Sequence, residues 1–396
     1  MAQRPQARPA GPKPPFWRDR AKRALIFQLL LIAAVAGFLI YIIGNTQDNL
    51  AARGITTGFG FLNNTAGFGI VQSLIDYSSQ STYGRTFVVG LLNTLLVSAL
   101  GVLAATLIGF VVGIARLSPN WLIARLASGY IEIFRNIPLL LQIFFWYFAV
   151  LRALPSARDS LSFGEAIFLN VRGLYLPEPQ FLSGFGLIPL ATLVAVVASI
   201  ALVIWNRRRH EATGRRLPAY WISAGLIVGL PLLVLVVTGV PVTWEVPELR
   251  GFNFRGGITV IPEFLALWLA LSIYTASFIA EIVRSGIQAV SHGQTEAAQA
   301  LSLPQGLVLR LVVIPQALRV IIPPLTSQYL NLIKNSSLAT AIGYPDLVSV
   351  FAGTTLNQTG QAIEVIAMTM AVYLTISLLV SLFMNWYNAR VALVER

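Results

Sequence analysis

The chain contains no cysteine, so disulfides and thiolate ligands are excluded. Histidine is nearly as scarce. His210 and His292 are the only two, and both lie in charged or loop segments, which leaves no basis for a histidine metal site or a catalytic triad. Charge is sparse as well: Asp, Glu, Lys and Arg make up 11% of the 396 residues, against about 25% in a soluble protein. Lysine occurs only at Lys13, Lys22 and Lys334, never after glycine. A Walker A loop is therefore absent, and the chain cannot be its own ATPase. Gly-x-Ser-x-Gly and His-Glu-x-x-His are also missing. No aromatic–basic interleaving supports nucleic-acid binding, and the net charge of +12 reads instead as arginine-rich loops beside a membrane.

What remains is hydrophobic: 56% of the residues, concentrated in long runs. The expectation is an all-α polytopic membrane protein of about eight spans, each near the ~20 residues a bilayer requires. They fall at roughly 25–43, 87–115, 127–151, 187–205, 219–239, 261–284, 318–343 and 362–387. The seventh carries Pro323, Pro324, Lys334 and Asn335, and the proline pair is expected to break it and leave free backbone groups facing a cavity. The run from Leu25 to Ile43 is too long for a signal-peptide core. Residues before it, rich in proline and arginine, read as an unprocessed, disordered cytoplasmic tail.

With the N-terminus placed inside, 19 Lys and Arg fall in inside segments and 7 in outside loops. That asymmetry favours both termini in the cytoplasm. The outside segment from Asn45 to Arg85, rich in Gly, Asn, Thr and Phe, reads as a packed loop or as one lying on the membrane surface. Gly109/Gly113 and Gly225/Gly229 have the spacing that permits close helix contact.

One inside loop stands out. Glu296-Ala297-Ala298-Gln299-Ala300-Leu301-Ser302-Leu303-Pro304 reads as a short helix, and Val312-Val313-Ile314-Pro315-Gln316 follows it. Ala297 and Ala298 side by side leave a face with almost no side chain, open to close approach by another protein. Glu296 and Gln299, three apart, can address one partner. The stretch reads as a docking knob; alone, Glu-Ala-Ala is also found in ordinary amphipathic loops.

This stretch resembles the EAA signature of bacterial ABC-importer permease subunits. Glu296, Ala297, Ala298, Val312, Ile314 and Pro315 match it, while Ser302 stands where glycine is usual. That glycine ends the short helix in a left-handed conformation, which costs serine roughly 1 kcal/mol. Three further segments resemble polar amino acid permeases of the histidine/glutamine type: Tyr130-Ile-Glu132-Ile-Phe-Arg135-Asn136-Ile-Pro138-Leu-Leu-Leu-Gln142, Tyr274 to Ile287, and Leu332-Ile-Lys334-Asn335-Ser336-Ser337-Leu338. The extended form is similar to one permease subunit of general L-amino acid importers of Gram-negative bacteria.

The resemblance implies a five-helix permease core at 87–151 and 261–388, with a cytoplasmic coupling loop at 286–317. Outside the core lie the tail (1–24), an extra first helix (25–43), a periplasmic segment (44–86), an insert with two extra helices (152–260) and a short cytoplasmic tail (389–396). It further implies an inner-membrane permease moving L-amino acids from periplasm to cytoplasm, with an ATPase docked on 291–315 through Glu296, Ala297, Ala298, Gln299 and Ser302. The implied partners are a second homologous permease, two ATP-binding subunits and a periplasmic amino-acid-binding protein. ATP and Mg would sit on the ATPase, with no cofactor on this chain. The resemblance assigns the insert no role; a docking surface for the binding protein or the second permease is one reading of it.

Charges in or near spans need partners, a wet cavity or an interface. Arg135, Lys334, Asn335 and Glu281 are candidates for the substrate pathway, where a cation would attract a carboxylate. The alternative for the charges is helix pinning or snorkelling: Glu132 with Arg135 and Glu281 with Arg284 sit three apart, and Lys334 has no acid in its own span. Two other functions stay open, a secondary transporter or channel that needs no ATPase, and a membrane scaffold. The first gives Glu296 no role and finds no internal duplication of spans to support it; the Pro-broken seventh span and Lys334 argue against the second.

Overall fold

The computed structural model describes residues 20–52, 57–214 and 217–391. The disordered-tail reading for the first 19 residues and the end of the C-terminal tail lie outside them. Helix α1 (Arg20–Ala52) runs longer than its apolar stretch at both ends, so its first turns cover residues read as tail. None of that apolar stretch is buried in the chain.

The bundle is built from α2 (Tyr83–Ala115), α3 (Trp121–Asn136), α4 (Leu139–Phe144), and further on α7 (Pro262–Gln288), α10 (Ile314–Asn335) and α12 (Ala362–Val391). Between α4 and α7 come α5 (Leu187–Thr213) and α6 (Ala219–Val237). The short helices α8 (His292–Ala300) and α9 (Gln305–Val308) precede α10, and α11 (Leu356–Thr359) precedes α12. Thr82 caps α2 and Asn120 caps α3 with side-chain oxygens that accept backbone N–H groups.

The third span is not the continuous helix expected over 127–151. Its two pieces meet at 106° across Ile137-Pro138. Proline pushes the preceding residue out of the helical region, and Ile137 is extended. The break frees carbonyls inside an apolar environment, and buried Gln142 answers them. Its Nε2 donates to Phe134 O at 3.0 Å and to Ile137 O at 2.9 Å.

The expected break at Pro323-Pro324 is absent: both prolines lie inside α10. The irregular backbone comes later. A 3-10 turn (Ser336–Ile342), a bend at Gly343 and a π-helical segment (Val348–Thr355) follow α10. This stretch is held against α2. Asn93 Nδ2 donates to Pro345 O at 2.9 Å, Tyr344 Oη donates to Asn93 O at 3.0 Å, and Leu347 N donates to Thr94 Oγ1 at 3.0 Å. Non-helical backbone at this depth is tolerated because protein groups satisfy it.

The core centres on α7, which lies between α2 and α10. Ala276, Ile279, Ala280 and Val283 on α7 are buried. Gly109 and Gly113 bring the α2 backbone onto them, and Gly286 does the same for Ile321 of α10. Gly225 and Gly229 on α6 have the same spacing but meet nothing within 4 Å. The spacing is permissive; a bulky partner surface makes it a contact.

The membrane part is helical as expected, but among the described residues the insert adds eight short strands that no apolar run announced. β1 (Leu161–Phe163), β2 (Ile167–Asn170), β3 (Gly173–Leu176) and β8 (Ile258–Val260) form one antiparallel sheet. β4 (Glu178–Phe181) pairs with β5 (Val242–Glu245), and β6 (Glu248–Arg250) with β7 (Asn253–Arg255). Buried Tyr175 on β3 and Phe254 on β7, with rings 4.9 Å apart, tie the four-stranded sheet to the β6–β7 pair. The 57–82 segment, read as a packed or surface loop, is packed. Phe61 is buried beside Tyr83 and Phe351, and Gly58 N donates to Glu364 Oε1 at 2.5 Å.

Candidate functional site

The loop after α7 is a small folded unit. Ala298, Val308 and Val313 are buried together, with Ile287, Val290, Leu303 and Val312 packed around them. Ala298 therefore faces inward and Ala297 outward. The expected face formed by both alanines does not exist, because consecutive helical residues point about 100° apart. The outer surface is Glu296, Ala297, Gln299, Ala300 and Leu301, the last 76% exposed. Glu296 Oε1 lies 3.1 Å from His292 Nδ1, one turn back.

Ser302 takes the left-handed conformation, with φ +59°. Ser302 N donates to Gln299 O at 2.8 Å and Leu303 N to Ala298 O at 3.4 Å. This pair of bonds, with Leu303 against Ala298, is the Schellman ending of a helix. The turn is thus built as a glycine would build it, at serine's expense. Ser302→Gly is expected to stabilise it by about 1 kcal/mol with uptake retained. The check is the thermal midpoint of the purified protein; a midpoint that falls would contradict the assigned turn.

Deeper in the bundle, Glu281 is the hub of an ion-pair triad. It bonds to Arg116, which follows α2, and to Arg284, whose Nη2 is 2.5 Å from Oε1. The expected Glu281–Arg284 pair forms, and Arg116 joins it. The Glu132–Arg135 pair does not form among the described residues. Arg135 instead lies 5.2 Å from the Phe278 ring centroid and lines a cavity of about 260 Å³ with Glu281 and Gln328.

Lys334 lines a separate cavity of about 530 Å³ with Ser337, Val348, Thr369, Met370, Tyr373, Leu374 and Ser377. Among the described residues Lys334 forms no ion pair. Asn335, half-buried at the end of α10, is not part of that lining. Sequence reasoning missed the α12 side of this cavity. The signal was present: Thr369, Tyr373 and Ser377 recur every four residues, a polar stripe along an apolar span. Among the described residues no three His, Asp or Glu side chains converge as a metal site.

The sequence pattern of the family described as "Binding-protein-dependent transport system inner membrane component" matches residues 212–393. A protein of Escherichia coli (strain K12), YhdX, named as a candidate amino-acid ABC transporter permease, is 61% identical over 94% of this chain and 95% of its own length. The general L-amino acid transport system permease protein AapQ of Rhizobium johnstonii is 56% identical over 96% of this chain and 94% of its own. The glutamate/glutamine/aspartate/asparagine transport system permease protein BztB of Rhodobacter capsulatus is 41% identical, with 96% of each chain covered. A solved amino acid ABC transporter with histidines aligns with a TM-score of 0.46 at 22% identity, over 78% of this chain and 95% of that one. The chain therefore belongs to the binding-protein-dependent transport system inner membrane components, among the amino-acid ABC transporter permeases.

Proposed function

We propose that this permease receives the stroke of a separate ATPase on α8 and passes it to the bundle. The observation that carries the reading is the construction of the α8 unit. Its outer face is exposed and presents Glu296, Gln299 and Leu301 beside the small Ala297 and Ala300, whereas buried Ala298 seats it on Val308 and Val313. Ile287 at the end of α7 and Val312 before α10 touch the same cluster. A push on α8 therefore reaches both core helices through well-packed contacts, which resist compression. Glu296, Gln299 and Ala297 form the docking face, and Ala298 and Ser302 hold its shape.

The assembly in this reading has a second homologous permease, two ATP-binding subunits carrying ATP and Mg, and a periplasmic amino-acid-binding protein. Both termini lie in the cytoplasm of an inner-membrane protein, in keeping with the excess of inside arginines. L-amino acids enter from the periplasm, and their carboxylate is received by Lys334. Arg135 and Asn335 stand beside the route, and Glu281 is committed to Arg116 and Arg284. A secondary transporter or channel would leave the exposed α8 face without use.

The test is purification from native membranes in mild detergent, comparing the native chain with Glu296→Lys. The native chain is expected to bring down a soluble Walker-A protein, and the variant to lose it. A chain that purifies alone while uptake survives ATP depletion would give the secondary-transporter reading its place.

A further inference from the structure

The α5–α6 hairpin has no part in the coupling reading. Its helices meet through small residues, Ala191, Ala195 and Ser199 on α5 and Ala219 and Ser223 on α6. Most of their remaining surface is apolar and exposed, the composition of helices that can face lipid. The tip of the hairpin is different. Arg207, Arg208 and Arg209 follow one another at the end of α5, and the turn is locked by Asn206. Asn206 Nδ2 donates to Leu217 O at 3.1 Å, and its Oδ1 accepts from Leu217 N at 3.1 Å.

Around the arginines stand Trp205, Tyr220 and Trp221, exposed by 51%, 81% and 82%. Such rings settle at the headgroup level of a bilayer. Arg209 stacks 5.2 Å from the Trp205 ring centroid. Glu211 is the one acid in this last stretch of α5, and it pairs with Arg207 at 3.5 Å. Chain order sets the level. α6 leads through β5–β8 into the start of α7, so the tip lies at the end of the bundle where α7 hands over to α8.

We propose that this tip is a binding site for the phosphate headgroups of anionic phospholipids. Guanidinium forks match phosphate oxygens, and three consecutive arginines fan over half the helix circumference. The charge complementarity and the collar of exposed rings select a lipid surface over a soluble partner. The site fixes the height and tilt of a hairpin that the rest of the chain scarcely touches.

The experiment is native mass spectrometry of the purified complex, titrated with phosphatidylglycerol or phosphatidylcholine. Each arginine near an anionic surface contributes roughly fivefold, so three contribute on the order of a hundredfold in affinity. The native complex is expected to prefer phosphatidylglycerol strongly. Arg207→Gln/Arg208→Gln/Arg209→Gln together should abolish the preference, and the matching lysine variant, which keeps the charge and loses the forks, should retain it in weakened form. Should the triple glutamine variant fail to assemble, Arg208→Gln alone is expected to weaken phosphatidylglycerol binding about fivefold. No preference in the native complex, or an undiminished one in the glutamine variants, overturns the proposal.

Discussion

Leucine at Gly113 is expected to leave little folded protein in the membrane. A Cβ there would stand 2.6 Å from Ala280 O and 2.8 Å from Val283 Cβ. At Gly109 it would stand 2.6 Å from Ile279 Cβ. The obstacle at Gly113 includes α7 backbone, so no change of rotamer relieves it. The two helices must part, and among the described single-helix spans α7 is the most buried. Overpacking of a close contact costs about 3 kcal/mol, and a rigid carbonyl leaves little room to relax. The comparison is built into the sequence: Gly225→Leu and Gly229→Leu have the same spacing on α6 but open space around them. They are expected to change stability by no more than about 0.5 kcal/mol. Yield of monodisperse protein on size exclusion and its thermal midpoint decide the matter. Native yield and midpoint for Gly113→Leu would refute the close contact of α2 with α7.

What could be read from the chain follows from how local each signal is. Long apolar runs announced the spans because the bilayer demands length and hydrophobicity, both visible residue by residue. The Pro138 break was hidden in such a run, although an Ile-Pro step disfavours helix locally. The proline pair misled in the opposite direction. Proline is a breaker in water, but α10 carries Pro323 and Pro324 without interruption, as membrane helices tolerate. The short strands of the insert offered only brief segments punctuated by glycine, which hydropathy does not register.

The short helix of the 286–317 loop was legible because its information is local: an alanine-rich turn and a proline at a fixed distance; that Ser302 keeps the left-handed turn usual for glycine was seen only in the structure. The inward side of Ala298 was equally local and was misread, since adjacency in sequence is not adjacency on a helix face. The Glu281 triad was only half legible. Arg284 is three residues away and could be found, but Arg116 is 165 residues away in sequence. Nothing in either neighbourhood names the other; only α2 lying along α7 brings them together.

The second large effect is expected at Lys334, and its argument rests on the cavity around it. Replacing Lys334 with methionine keeps the length of the side chain and removes the charge. Amino acid uptake should then fall by roughly ten- to a hundredfold, the worth of a charge-assisted hydrogen bond of about 1.5–3 kcal/mol. The rest of the cavity supplies hydroxyls from Ser337, Thr369, Tyr373 and Ser377 and apolar surface from Val348, Met370 and Leu374, but no acid. Such a lining gives a carboxylate one strong partner and leaves the substrate side chain loosely specified. Because Lys334 has no ion pair among the described residues, its loss breaks no structural link, and the thermal midpoint and α8-dependent assembly should stay native. A lysine that merely snorkelled toward water would behave differently: Lys334→Met would leave uptake unchanged. Labelled amino acid uptake, measured beside co-purification of the ATPase, separates the two, and a loss of both together would place Lys334 in the fold and not in the path.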